Sequence, residues 1–191
     1  MVDEPRPSPR QEKPFALRAV VYTVGFLFVV LGIIPSLFYI AGERLVPPMN
    51  WPDDWPIEIQ SFWLNFRSLV GMAVFSAGLA AYLFCSAWLV FLSKAPHVQF
   101  HDPQVFVATG PYRWVRNPVV LTLLVTAGGQ ALYFASWGIA LYVLLGVGFA
   151  QWQVTRLEEP NLRRLFGDSY DAYCRRVNRW LPKLPSPESN E

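Results

Sequence analysis

Cysteine, histidine and charge are the scarce materials of this 191-residue chain. Its cysteines are Cys85, in an apolar run, and Cys174, in a basic tail; that placement gives no basis for a disulfide framework or a cysteine metal site. Its histidines, His97 and His101, are flanked by Pro96 and Pro103, which argues against two metal ligands on one helical face. Charged residues are 16% of the chain and hydrophobic ones 53%, whereas soluble domains carry roughly 25% charge. The shortage of charge points to a membrane protein. A net charge of +2 is too small to suggest a nucleic-acid partner. The chain also lacks a P-loop, a G-x-G-x-x-G and a Ser-His-Asp pattern, so nucleophilic hydrolysis and the familiar nucleotide folds have no basis here.

What the chain has instead is long runs without charge. Ala19 to Gly42 is the first, long enough to cross a hydrocarbon core of about 30 Å and too long for a signal-peptide core. Pro35 should kink this retained span or lie near its end. Glu43 to Arg67 comes next as a polar connection with Pro47, Pro48, Pro52 and Pro56, and with Trp51, Trp55 and Trp63 suited to the headgroup level. Ser68 to Ser93 is the second span, and Lys94 to Pro118 is again polar. Asn117 to Thr155 is a third run, too long for one crossing and right for two with a bend near Tyr133 to Gly138. Gly128 and Gly129 there suit close approach of a neighbouring helix.

The expected fold is all-α: an integral-membrane four-helix bundle with spans at about 19–42, 68–93, 118–134 and 137–155, the last two forming a hairpin. Residues 15–182 make one domain between disordered tails, 1–14 and 183–191. Beyond Arg156 the chain turns polar. Leu162, Leu165 and Phe166 fall on one face, Gly167 can end a helix, and Asp168 can start another carrying Tyr170, Tyr173 and Val177. These read as short amphipathic helices lying on the membrane. Only Arg44 and Arg67 among the basic residues fall in the first connection, and none in the hairpin bend. The positive-inside rule then puts both termini, the connecting segment after span two and the C-terminal helices in the cytoplasm, at what would be a bacterial inner membrane.

One cytoplasmic mouth therefore collects most of the unusual side chains. Thr109 to Pro118 reads TGPYRWVRNP, a lip of glycine, prolines, aromatics and two arginines just before the hairpin. It brings Tyr112, Arg113, Arg116 and Asn117, while the end of span four brings Arg156, Glu158 and Glu159. Glutamates at a membrane boundary need a partner or water. Such a set can be an ion-paired anchor for the tail, or a site with hydroxyl-binding carboxylates, an anion-binding arginine and aromatic walls.

The two blocks, TGPYRWVRNP and EEPNLRRLFGDSYDAYCRRVNRWLP, separated by a hairpin, resemble the isoprenylcysteine carboxyl methyltransferase family and its bacterial relatives. Phe100, Asp102 and Pro103 are similar to the bacterial branch. The resemblance covers about Phe100 to Pro182 and implies an integral-membrane enzyme that uses S-adenosylmethionine. It implies cofactor contacts from Gln104, Val107, Gly110, Tyr112, Arg116, Asn117 and Pro118, with one of Glu158 and Glu159, Glu158 in preference, on the cofactor's polar end. Arg156 and Glu159 are then the candidates for work on a lipophilic or small acceptor, a carboxylate or a thiol. Val154 stands where the eukaryotic enzymes have an arginine for the acceptor's carboxylate, and Arg156 lies about 200° further round a helix. Two other readings compete: an NADPH-dependent reductase of the sterol reductase type, and a non-catalytic membrane interaction protein. The pattern specifies no oligomeric state.

Overall fold

The computed structural model describes residues 15–46, 55–93 and 106–182. The expected tails, His97, His101 and Gln104 lie outside the described residues. Every regular element among those described is helical: α1 (Phe15–Leu27), α2 (Ile34–Leu45), α3 (Ile57–Ser93), α4 (Pro118–Phe134), α5 (Trp137–Gln153) and α6 (Glu159–Arg176). A π-helical segment, Phe28–Ile33, joins α1 to α2, and another, Val154–Glu158, joins α5 to α6. Three stretches are long and apolar enough to cross a membrane: Val20–Leu45, Ile57–Leu92 and the continuous helix from Trp137. With α4 as a fourth, shorter apolar helix, this is an integral membrane protein.

Pro35 does not break the first span; it changes what its carbonyls bond to. The Ile34 N–H reaches back five residues to Val29, the π pattern that often marks functional or strained positions. Pro35 has no N–H, so it serves neither Val30, five back, nor Leu31, four back. In lipid such carbonyls need another donor. Val30 accepts the Tyr142 hydroxyl at 2.8 Å, and Leu31 accepts the Gln130 side-chain amide at 2.7 Å. The interruption thus ties the first span to α4 and α5.

Helix α3 starts at Ile57, inside the stretch expected to be a polar connection through Arg67. Pro56 supplies a carbonyl to the Ile59 and Gln60 N–H groups, Gln60 bonds back to the Trp55 carbonyl at 2.7 Å, and Glu58 sits in the first turn, where a negative charge suits the helix dipole. Absence of charge marks where a helix enters lipid, not where it begins. At 37 residues it is about 55 Å long, longer than a bilayer core.

α4 pairs antiparallel with α3 at backbone distance. A Cβ on Gly78 would lie 2.7 Å from Thr126 Oγ1, and Gly129 presses on the Phe75 backbone. Gly128 meets nothing within 4 Å, so only the second of the two glycines does the packing expected of both. The hairpin turn falls where expected: Ala135 adopts a left-handed φ of 48°, and the Ser136 hydroxyl caps α5 through the Ile139 N–H. In α6, Gly167 takes φ 50°, ψ −128° and kinks the helix, so that Tyr170, Tyr173 and Val177 bury against Phe106, Leu162 and Phe166.

Candidate functional site

The lip folds as a short 3-10 turn over Gly110–Arg113. Gly110 starts it with φ +59°, and a Cβ there would come within 2.6 Å of the Trp88 ring on α3, so glycine is needed both for conformation and for contact. Val115 is buried and anchors the other end. Asn117 precedes α4, with Pro118 in its first turn, where a missing N–H is harmless. The Asn117 carbonyl accepts the Leu121 N–H at 3.0 Å. Its side chain is buried and makes no cap bond to its own helix.

The C-terminal segment lies over this lip. The Tyr173 hydroxyl donates to the Tyr112 carbonyl at 2.7 Å, and the Arg116 N–H donates to the Asn178 carbonyl at 2.8 Å. Glu159 stands between them, 4% exposed. Its Oε1 accepts from Arg116 at 2.9 Å and from Arg179 Nε at 2.7 Å; its Oε2 accepts from Arg179 at 2.9 Å, with Arg163 at 4.0 Å. Arg116 also meets the Cys174 sulfur at 3.0 Å, while its buried Nε has no partner among the described residues. Burial pushes the Glu159 carboxyl up, but the Arg179 hydrogen bond and the charges of Arg116, Arg179 and Arg163 outweigh it and hold the group below the ordinary range. Glu159, expected to act on the acceptor, has both oxygens engaged in a clamp between lip and tail.

Glu158 faces differently. The π bond from the Glu159 N–H to the Val154 carbonyl inserts one residue into the turn and shifts the phase of the residues beyond it. Val154 becomes one of the most buried residues of the protein, 1% exposed. Glu158 retains open surface while protein surrounds it closely enough that burial, and then the charge of Glu159, raise its pKa above the ordinary value. Tyr112 shifts the same way: burial chiefly, then the charge of Glu158, then Cys85 and Tyr173, push its phenol upward. Tyr112 on the lip, Cys85 on α3 and Glu158 at the end of the last span therefore lie near one another.

Among the candidate residues, Gly110, Tyr112, Asn117 and Pro118 belong to the lip, and Glu158 is near enough for its charge to act on Tyr112. Val107 is buried, two residues before the lip. Arg116 belongs partly to the clamp. Arg113 and Arg156 are exposed. Trp88 has no sequence signal of its own: it is one aromatic in an apolar run, and only its contact with Gly110 places it under the lip. Its buried indole N–H has no partner among the described residues.

A family model described as Phospholipid methyltransferase matches residues 66–169, from the first part of α3 through the lip, α4 and α5 into α6. No curated protein and no solved structure matches the chain.

Proposed function

We propose, from the premise that the chain belongs to the phospholipid methyltransferase family, that it transfers methyl groups from S-adenosylmethionine to a lipophilic or small acceptor at the cytoplasmic face of the membrane. That family includes the isoprenylcysteine carboxyl methyltransferase-like membrane enzymes, in line with the resemblance of the two sequence blocks. The observation that carries the reading is Glu158. It is an exposed carboxylate near Tyr112, its ionised form disfavoured by its acidic neighbour, and it is left outside the arginine clamp. Such a group favours a cationic ligand. Asn117, whose side chain is not spent on capping its own helix, fits a ligand lying along the lip.

S-adenosylmethionine, when bound, supplies a methyl group on a sulfonium centre. Glu158 holds the donor's cationic end, Asn117 offers it a hydrogen-bonding side chain, and Tyr112, Val107 and Pro118 wall it. Gln104 would join them from outside the described residues. Arg116 and Glu159 keep the lip in register with the tail, which is positioning rather than chemistry. Arg156, exposed at the membrane boundary, is left for a polar group of the acceptor, a carboxylate or thiol. Displacement at a sulfonium disperses positive charge, so alignment and exclusion of water do more than a strong acid or base.

Titration calorimetry of the detergent-solubilised protein with S-adenosylmethionine tests this. Glu158→Ala should weaken binding by about tenfold or more, the worth of one hydrogen bond to a charged group; Tyr112→Ala should weaken it by removing a wall, and NADPH should give no heat. Wild-type affinity in both variants, or stabilisation by NADPH alone, overturns the reading.

A further inference from the structure

At the end of α4 away from the lip lies a cavity of about 380 Å³, lined by Leu31, Pro35, Ser36, Tyr39, Gln130 and Phe134 together with Ile40 and Ile139. Its volume is that of a small-molecule site. Gln130 comes 12 residues after Pro118 in a helix that ends at Phe134, so it sits about 18 Å from the lip and about 6 Å from the far end of α4. The methyl-transfer mouth and this cavity are therefore separate. The rim opens sideways: Ile40 and Phe134 are each 51% exposed, and Tyr39 packs near the Phe134 ring at 5.8 Å, on faces a membrane protein turns to lipid.

Just beneath the wall lies a polar atom without a partner among the described residues. Gln130 Nε2 is committed to the Leu31 carbonyl at 2.7 Å, because Pro35 has no N–H to give. That bond holds Nε2 and leaves Oε1 turned away from Leu31. Oε1 is buried and has no partner among the described residues. An acceptor in that state is costly in hydrocarbon. An acyl tail cannot relieve it, having no donor, and a carboxylate would set negative charge against an amide oxygen. A hydroxyl relieves it, and a depth one turn from the helix end suits the hydroxyl of an amphiphile whose chain leaves through the open rim.

We propose that this cavity binds a neutral long-chain alcohol from the leaflet opposite the lip, its hydroxyl donating to Gln130 Oε1 after a small adjustment of that side chain. The site is independent of the methyl-donor reading and survives its failure. The full-length protein in phosphatidylcholine nanodiscs is irradiated with a long-chain primary alcohol carrying a diazirine, with its methyl ether and with the matching fatty acid, and labelled peptides are identified by mass spectrometry. The alcohol should label the segments holding Tyr39 and Phe134 about fivefold more than the ether, as one hydrogen bond allows. Gln130→Leu should bring the alcohol down to the level of the ether, and Ile139→Trp, which fills the cavity, should suppress both. Tyr142→Phe breaks the companion bond to Val30 outside the cavity and should leave the preference intact. Equal labelling by alcohol and ether overturns the proposal, as does stronger labelling by the acid. So does a loss in Tyr142→Phe as large as in Gln130→Leu, which would trace the preference to helix packing.

Discussion

Glu158 and Glu159 are neighbours in the chain, and the two sides of the junction they occupy behave as opposites. On the tail side, arginines take both oxygens of Glu159 and hold its carboxyl below the ordinary range in spite of burial. On the mouth side, burial and the negative charge next door raise Glu158. One carboxylate is stabilised by its own protein and the other is held at a cost. A group held that way is stabilised by a ligand, whereas a saturated one fastens two segments together. The π turn at Val154–Glu158 decides which carboxylate goes to which side.

The largest effect should come from the tail side. Glu159→Leu strands Arg116 and Arg179, and removing one partner of a buried pair costs about 3–5 kcal/mol. The lower end is expected, since the Arg179 side chain keeps 27% of its surface. Thermal unfolding in detergent should fall accordingly, and trypsin should cut at the arginines of the freed tail. A carboxyl held below its unfolded value contributes stability above that value and loses it as pH falls. Wild-type protein should therefore loosen below the ordinary carboxyl value of 4.5, and the leucine variant should lack that acid step.

Glu158→Gln should have the reverse sign in stability. A carboxyl raised in the folded state contributes stability below its unfolded value and loses it as pH rises through the folded value. At neutral pH its neutral isostere should unfold at a higher temperature than wild type, while binding S-adenosylmethionine about tenfold more weakly. Wild-type affinity should rise with pH as Glu158 ionises, above the ordinary 4.5, with a proton released on binding; the glutamine variant should be flat. Calorimetry in buffers of different ionisation enthalpy reads both. If the two variants shift stability in the same direction, the contrast between the two sides is wrong.

Gly110→Ala sharpens the same contrast from the lip. A left-handed residue with a Cβ costs about 1–2 kcal/mol, and this Cβ also meets Trp88. Ligand affinity should drop, while the acid step of the Glu159 clamp stays in place. Adding Trp88→Leu should restore part of the affinity, because it removes the contact and not the φ strain.

Local chemistry made several features legible. The Asn-Pro start of α4 and the break at Gly167 were each readable from one or two residues whose backbone preferences dominate, and the bend between α4 and α5 from the length of the uncharged run. The approach of tail to lip followed from charge placement alone. Other features depend on partners distant in the chain. Pro35 marks the place of the first π segment, but Tyr142 and Gln130 from other helices complete it, and the second has no local signature. Glu158 and Glu159 look equivalent until the phase of that turn is known, so the clamp role of Glu159 could not be separated from a role in chemistry. Helix α3 begins 11 residues before its expected span, Ile57 against Ser68, because a start signal at Pro56 needs no hydrophobicity.

The smallest expected effect concerns the first span, where hydrogen bonds do the fastening that ion pairs do in the tail. Tyr142→Phe removes the hydroxyl bonded to Val30 and should cost about 0.6 kcal/mol, the average for such bonds between membrane helices. The physical reason for the bond is the N–H that Pro35 lacks, so the effect should depend on Pro35. In a Pro35→Ala background a backbone donor returns within reach of Val30, and Tyr142→Phe should then cost close to nothing. A double-mutant cycle read by reversible unfolding in mixed micelles isolates that coupling. Equal costs in the two backgrounds would mean that proline and tyrosine act independently, and that the π segment holds its shape for some other reason.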